Sequence, residues 1–234
     1  MDITPVAYIH TDFRDKFGIP RQSGRVPSLM GRIVFTPEFR SAEAIRGIED
    51  FSHLWLIFGF SEAMRSRPSL TVRPPRLGGN RRIGVFASRA PFRPTSLGLS
   101  VVRLERIEKT DEEGHVLIVS GVDMLDGTPI YDIKPYLPYA DAHPQARGSY
   151  GEALHTYALE VVFPPELFAR IPREKQEAVL DCLKDDPRPA YHDDDREYSM
   201  NFAGYDIHFT VKDKTLTVHG VDLPDKTKER RKTI

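Results

Sequence analysis

Short apolar runs, each interrupted by turn-forming residues, fill the first half of the chain and set the strongest constraint on its fold. The runs cover residues 6–9, 31–35, 54–60, 83–88, 98–107 and 115–122. Runs of this length, rich in Val, Ile, Leu and Phe, are typical of β-strands. Because several follow one another with few helical segments between them, they predict a mainly β fold in which an antiparallel sheet curls into a barrel. Alternation of the two faces is clearest in residues 98–107, although it is imperfect there.

One segment of the first half has a helical rather than a β pattern. Ser41 is a suitable helix cap, and Ala44, Ile45, Ile48 and Phe51 fall on one side of a helix that starts there. We therefore predict a single helix beginning at Ser41 within the barrel domain.

The pattern changes after residue 139. Residues 165–184 have apolar positions in helical phase, and the two prolines in residues 186–189 end that helix. Residues 205–211 alternate, and a turn at 212–215 leads into 216–218, which predicts a hairpin. The sequence thus predicts two domains: a β-barrel over residues 1–140, and a small α+β domain with a frayed charged tail over 141–234.

Composition excludes several protein classes. The longest apolar run, residues 54–60, is far below the roughly 20 residues of a membrane span. The single cysteine, Cys182, cannot form an internal disulfide and lies in the apolar phase of the predicted helix, so we expect a buried structural thiol. The histidines are scattered singly, and Rossmann, P-loop and nucleophile-elbow motifs are absent from the sequence. We expect a cytoplasmic protein with no membrane segment and no metal site.

Charge is strongly segregated, although the formal net charge is only −1. Residues 63–104 contain nine arginines and no Lys, Asp or Glu. Arginine suits bidentate recognition of phosphate, which favours a nucleic-acid partner. An alternative is that about half of them hold the Pro- and Gly-rich loops in place. The candidates for RNA contact are Arg65, Arg67, Arg73, Arg76, Arg81, Arg82 and Arg93.

Several ordered motifs occur along the chain: Arg-Pro-Pro-Arg-Leu-Gly-Gly-Asn at 73–80, Gly-Val-Phe-Ala-Ser-Arg at 84–89, Phe-Arg-Pro at 92–94, Asp-Gly-Thr-Pro at 126–129, Asp-Ile-Lys-Pro-Tyr at 132–136 and Asp-Pro-Arg-Pro-Ala-Tyr at 186–191. Together they resemble the TrmO-type tRNA adenine-N6-methyltransferases over almost the whole chain. The resemblance implies an antiparallel single-sheet β-barrel methyltransferase domain that binds the cofactor and carries the catalytic site over residues 1–140. It further implies a small C-terminal domain, a homodimer, and S-adenosylmethionine as cofactor. It also implies N6-methylation of threonylcarbamoyladenosine beside the anticodon of tRNA.

The resemblance also implies a set of cofactor-binding residues. The carboxylate, ribose diol and adenine of S-adenosylmethionine require Arg or backbone amides, polar acceptors and apolar walls. The matching positions are Arg21, Gln22, Ser23, Ser61, Glu62, Arg89, Leu99, Asp123, Met124, Leu125, Asp126 and Gly127. For residues 126–129 a tight turn between two strands is an alternative explanation that is compatible with ligand binding.

Catalysis requires a group that accepts the proton of the exocyclic nitrogen, because that nitrogen is a poor nucleophile. Asp126 is the first candidate, and Asp132 and Tyr136 are reserves on the same segment. Two other functions stay open. A non-catalytic barrel that binds RNA or a nucleotide as a regulator would lose the cofactor, and a methyltransferase acting on protein or metabolites would not need the arginines.

Overall fold

The computed structural model of this chain describes residues 3–61, 69–74, 81–148, 157–188 and 196–223. These described residues form twelve strands. They are β1 (Ala7–His10), β2 (Met30–Phe35), β3 (His53–Gly59), β4 (Thr71–Val72), β5 (Ile83–Gly84), β6 (Leu97–Thr110), β7 (Gly114–Ser120), β8 (Thr128–Pro135), β9 (Glu160–Val162), β10 (Tyr198–Phe202), β11 (Tyr205–Lys212) and β12 (Thr215–Asp222). The α-helices are α1 (Pro138–Asp141), α2 (Pro165–Phe168) and α3 (Arg173–Lys184). Among the described residues, no helix is long and apolar enough to cross a membrane.

Six strands of the first half form one antiparallel sheet that closes on itself. Their order is β1-β2-β7-β6-β3-β8, and β8 pairs back with β1. Apolar side chains from alternate positions fill the interior, and Ile9, Ile33, Leu54, Leu117 and Ile130 are completely buried there. The predicted mainly β architecture with a large antiparallel sheet is confirmed.

The imperfect alternation of residues 98–107 has a structural cause. β6 continues for 14 residues, and its register with β7 shifts between Leu104 and Arg106. A bulge of this kind inserts one unpaired residue and reverses the two faces beyond it. Side chains before and after Glu105 therefore follow different phases.

The predicted helix at Ser41 is wrong in type but correct in its start. Ser41 Oγ accepts a hydrogen bond from the Glu43 backbone N–H at 3.2 Å. The segment then forms separate 3-10 turns at Ala42–Ile45 and Ile48–Asp50. Gly47 between them has φ of +83°, and this left-handed residue ends the first turn before an α-helix can develop.

Two other predictions from the first half need correction. Residues 83–88 form only the short strand β5, followed by a 3-10 turn at Val85–Ala87. Strand β8 was not expected, because Pro129, Asp132, Lys134 and Pro135 make its segment unlike an ordinary strand. It completes the barrel by pairing with both β1 and β3.

The second half forms a separate four-stranded sheet in the order β10-β11-β12-β9, with α3 beside β9. The predicted hairpin is confirmed as β11 and β12. The single helix predicted over 165–184 is instead α2 and α3, because Pro172 precedes α3 and interrupts the helical hydrogen bonds. Cys182 is buried, as expected, and burial raises the pKa of its thiol.

The connection between β1 and β2 lies between the two sheets. Phe13 packs edge-on against Phe202 with ring centroids 5.5 Å apart, and Phe17 stacks on Tyr198 at 6.1 Å. Gly18 has φ of +91°, and a Cβ there would lie 2.4 Å from the sulfur of Met200. Residues 11–29 are thus packed closely against the second sheet, which fixes the loop that carries several candidate site residues.

Candidate functional site

The candidate site is built beside the first half of β6. Residues 97–102 of β6 pair with β3, whereas β7 pairs with β6 only from Arg103 onward. Two loops lie along the side that β7 does not reach, residues 21–24 and residues 121–127. The backbone N–H of Val101 donates to Ser23 Oγ at 3.2 Å, and the N–H of Gly24 donates to the Gly121 carbonyl at 2.9 Å. The barrel thus holds both loops against one strand.

Asp123 is the central ionisable group of this site. Its carboxylate is largely buried and accepts a hydrogen bond from Ser100 Oγ at 2.7 Å. Burial raises the pKa of Asp123 to about 6, although the bonds from Ser100 and the Ser23 backbone N–H and the charge of Arg89 act in the opposite direction. A carboxylate that is costly to ionise when alone is well suited to a ligand that brings a positive charge or hydroxyl donors.

Two arginines are connected with the loop of residues 21–24: Arg21 begins it, and Arg89 contacts it. Arg89 Nη1 donates to Gln22 Oε1 at 2.5 Å, and Gln22 Nε2 donates to the Arg21 carbonyl at 2.5 Å. Arg21 Nη2 in turn donates to the Arg188 carbonyl at 2.6 Å. The charge of Arg89 acts on Asp123, and Gln22 joins Arg89 to the loop that begins at Arg21. This part of the fold therefore combines a largely buried carboxylate with arginines that can hold the carboxylate of a ligand.

The structure brings most of the predicted cofactor residues together. Leu99 on β6 is 53% exposed beside the two loops, which leaves an apolar wall available to a ligand. Ser61 follows β3, whose last residue, Gly59, pairs with Leu97 at the start of β6. Met124 is buried in the barrel core, so its side chain supports the loop from inside. Glu62 lies outside the described residues.

Asp126 lies on the β1 side of the 121–127 loop. Its Oδ1 accepts the Thr11 backbone N–H at 3.1 Å and lies 3.2 Å from His10 Nδ1. The carboxylate is 38% exposed. Gly127 has φ of +74°, and its N–H donates to the Ile9 carbonyl at 2.9 Å. Residues 126–127 therefore form the tight turn into β8 that was one of the two interpretations, and this turn presents a carboxylate at the barrel end.

The three candidate proton acceptors do not lie together. Asp126 precedes β8 and Tyr136 follows it, and an eight-residue strand separates them by about 23 Å. Tyr136 packs on Trp55 with ring centroids 5.9 Å apart, at the opposite end of the barrel from Asp126. Asp132, inside β8, forms an ion pair with Lys134 at 2.8 Å. A single small substrate at the loop site can reach Asp126 but not Tyr136.

The candidate RNA-binding arginines fall into two groups. Arg73, Arg81 and Arg82 flank the two-stranded β4–β5 ribbon and are exposed. Arg93 Nη1 donates to the Ser88 carbonyl at 3.0 Å, which supports the alternative that some arginines hold their own loop. Arg65, Arg67 and Arg76 lie outside the described residues.

Sequence reasoning missed two residues of the site, Ser100 and His10. Ser100 carried a weak signal, because it is a hydroxyl in the buried phase of an otherwise apolar strand. His10 ends β1 and carried no signal beyond being a single histidine. Within the part of the chain that the structure describes, His, Cys, Asp and Glu do not form a group that could hold a metal ion.

Family profiles match the chain in two places. The profile of the tRNA-methyltransferase O N-terminal domain matches residues 8–142. The profile of the TrmO C-terminal domain matches residues 156–223.

Individual relatives give the same assignment. The tRNA (adenine(37)-N6)-methyltransferase of Escherichia coli is 36% identical over 93% of this chain and 96% of its own length. A Pseudomonas aeruginosa protein, RcsF, that carries the name of an S-adenosylmethionine-dependent methyltransferase is 41% identical over 88% of this chain and 91% of its own length. The crystal structure of TrmO from Pseudomonas aeruginosa superimposes with a TM-score of 0.75 at 34% identity, covering 95% of this chain and 98% of that one.

Proposed function

The chain belongs to the TrmO family of tRNA methyltransferases, and on that basis we propose the adenine that it modifies and the residues that do the work. It is an S-adenosylmethionine-dependent tRNA adenine-N6-methyltransferase. We propose that its substrate is the threonylcarbamoylated adenine at position 37, beside the anticodon. We place the cofactor beside the first half of β6, on the side that β7 does not reach. The observation behind this placement is that Asp123 and the arginines Arg21 and Arg89 belong to this region.

The residues present fit the cofactor. S-adenosylmethionine supplies an activated methyl group, and its amino-acid part carries one ammonium and one carboxylate. Arg21 and Arg89 match the carboxylate through charge-assisted hydrogen bonds. Asp123 matches the ammonium or the ribose hydroxyls. Hydrogen bonds from these groups would replace some of the water contacts that the carboxylate lost on burial. Leu99 offers apolar contact for the adenine ring.

We assign proton transfer to Asp126. The lone pair of adenine N6 is delocalised into the ring, and a threonylcarbamoyl group withdraws it further while making the N6–H more acidic. A carboxylate within about 3 Å can accept that proton as N6 bonds to the methyl carbon and the sulfur–methyl bond breaks, which would leave a neutral thioether. Such proton acceptance is typically worth about 100-fold to 10,000-fold in rate. The Asp126 side chain is 38% exposed at the barrel end, whereas Asp123 is largely buried and bonded to Ser100, so Asp126 is the more accessible of the two to an RNA base.

Labelled S-adenosylmethionine incubated with total tRNA, followed by nucleoside analysis, tests the proposed function. We expect the label in N6-methylated threonylcarbamoyladenosine. A parallel reaction with tRNA lacking the threonylcarbamoyl group tests the finer assignment, and equal labelling there would refute it. Binding of tRNA without any methyl transfer would favour the regulator alternative, and label in protein or metabolites would favour a different acceptor.

We further propose a homodimer. Leu70 and Phe86 are 76% and 78% exposed, and they lie on connected elements, since the Val85 N–H donates to the Leu70 carbonyl at 3.0 Å. Large exposed apolar side chains of this kind favour contact with another surface. Light scattering at working concentration measures the mass, and a fully active monomer would contradict the proposal.

The domain division and location are also proposals. All six barrel strands end by residue 135, and the second sheet starts at residue 160, which supports domains over residues 1–140 and 141–234. A tRNA substrate supports a cytoplasmic location. The exposed Arg73, Arg81 and Arg82 support an RNA-binding surface on the β4–β5 ribbon.

A further inference from the structure

The segment that carries Arg21 runs antiparallel to the end of α3 and the residues after it. Three polar contacts join them in reverse order along the two chains. Ser28 Oγ donates to Asp181 Oδ2 at 2.9 Å, and Arg25 Nε donates to Asp185 Oδ1 at 2.5 Å. At the far end, Arg21 Nη2 donates to the Arg188 carbonyl at 2.6 Å. The conformation of residues 21–28 is therefore matched, contact by contact, to residues 181–188 of the C-terminal part.

The contact between Arg21 and the Arg188 carbonyl depends on a local structure that is energetically costly. Asp186 and Arg188 are both buried, at 8% and 7% exposure, and Arg188 Nε donates to Asp186 Oδ1 at 2.9 Å. Asp186 also has φ of +57°, a left-handed conformation that is disfavoured for a residue with a side chain. Tyr157 OH donates to Asp186 Oδ2 at 3.0 Å.

A buried ion pair is an inefficient way to stabilise a fold, because desolvating two charges cancels most of their attraction. Burial alone would raise the pKa of Asp186, yet the bonds from Arg188 and Tyr157 keep it below its usual value, so the pair stays ionised. What such a pair does provide is a fixed geometry. The Arg188 side chain is held by the same residue whose left-handed turn directs the Arg188 carbonyl toward Arg21.

We propose that Asp186 and Arg188 are positioning residues for the cofactor, acting through Arg21. The buried pair fixes the Arg188 carbonyl, the carbonyl orients the Arg21 guanidinium, and the guanidinium is held ready for the carboxylate of S-adenosylmethionine. Orienting a binding group in advance lowers the entropic cost of binding. The inference rests on the proposed cofactor role of Arg21, and it gives the C-terminal part a direct role in cofactor affinity.

A double-mutant cycle tests this dependence. Wild type, Arg21→Ala, Asp186→Asn and the double variant are compared by calorimetric binding of S-adenosylmethionine. We expect Asp186→Asn to weaken binding by at least about tenfold in the wild-type background and by less than about twofold when Arg21 is already Ala. Equal factors in both backgrounds would show that Asp186 acts independently of Arg21 and would overturn the proposal.

A control variant separates positioning from general destabilisation. Lys175→Gln breaks the Lys175–Asp12 ion pair, 2.7 Å long, which joins α3 to the same β1–β2 connection but does not touch Arg21. We expect Lys175→Gln to lower the Tm and to leave cofactor affinity unchanged. If Asp186→Asn likewise lowers only the Tm, the buried pair is merely structural and the proposal fails.

A milder variant keeps the test usable if Asp186→Asn does not fold. Tyr157→Phe removes one hydrogen bond to Asp186 and leaves the charge pair in place. It should weaken cofactor binding about twofold to threefold, again only when Arg21 is present, whereas an unchanged affinity would count against the proposal. Wild type that binds no S-adenosylmethionine would instead refute the proposed function, and this inference with it.

Discussion

In the loop of residues 21–28, Arg21 and Arg25 donate hydrogen bonds to residues 188 and 185 of the C-terminal part. Arg73, Arg81 and Arg82 on the β4–β5 ribbon are exposed and, among the described residues, have no hydrogen bond or ion pair. The first pair loses conformational freedom before any ligand arrives, which suits a small molecule that must be held in one orientation. The second group keeps its freedom and its solvation, which suits attraction of a phosphate backbone. We therefore propose two distinct tasks for arginine in this chain, and the contacts of each side chain with the protein distinguish them.

If these two groups of arginines differ as proposed, changing Arg89 should have the largest effect on cofactor affinity. Arg89→Ala removes the guanidinium that contacts Gln22 and also the positive charge that favours ionised Asp123. We expect the Kd for S-adenosylmethionine to rise about 30-fold, because a hydrogen bond to a charged group is worth about 1.5–3 kcal/mol. Affinity for tRNA, measured by filter binding, should change less than about twofold, and an equal loss of both affinities would remove the distinction.

A second large effect tests whether the chemistry belongs to the barrel end. Asp126→Asn should lower the single-turnover methylation rate at least about tenfold while cofactor affinity changes far less, the pattern of an interaction made mainly in the transition state. Tyr136→Phe, at the opposite end of β8, is the matched control and should keep its rate. A normal rate for Asp126→Asn clears it of a catalytic role, and a lost cofactor affinity would make it a binding or turn residue.

Changes in the β4–β5 ribbon should affect tRNA binding and leave cofactor binding intact. Arg81→Ala combined with Arg82→Ala should weaken tRNA binding about tenfold at low salt and reduce the slope of log affinity against log salt by about 1 to 2, because two phosphate contacts are lost. Cofactor affinity should not change. An unaltered salt slope would mean that these exposed arginines do not face the RNA, and Arg93→Ala, which breaks a contact within its own loop, should instead affect stability.

Sequence reasoning could identify both groups of arginines but not their different tasks. The run without Lys, Asp or Glu is visible directly, and the strands β1, β2, β3, β6 and β7 follow from local patterns. The partner of Arg21 lies 167 residues away, so no local period predicts that contact. Strand β8 was missed for a related reason, because its prolines and charged residues make sense only beside β1 and β3. The resemblance supplied the proposed cofactor residues, but the separation of Asp126 from Tyr136 appeared only with the strand between them.

The smallest expected effect is the pH dependence of cofactor affinity. It differs in sign from the pH dependence of folding stability, so the two contributions of Asp123 can be separated. The pKa of Asp123 is about 6 in the folded protein, above its ordinary value. If the cofactor requires the ionised carboxylate, its affinity should fall about fourfold between pH 7.5 and pH 5.5, as the fraction ionised drops.

The stability of the unliganded protein should change in the opposite direction. A folded pKa above the unfolded value means that Asp123 stabilises the fold at low pH, and that this contribution is lost as pH rises through about 6. Asp123→Asn should therefore be more stable than wild type by about 3 kcal/mol at pH 7.5 and little more stable near pH 4, while binding the cofactor poorly at both. Urea unfolding at the two pH values measures the difference. A variant less stable than wild type at pH 7.5 would show that the bonds from Ser100 and Ser23 outweigh the cost of burial, so that the carboxylate serves the fold as well as the ligand.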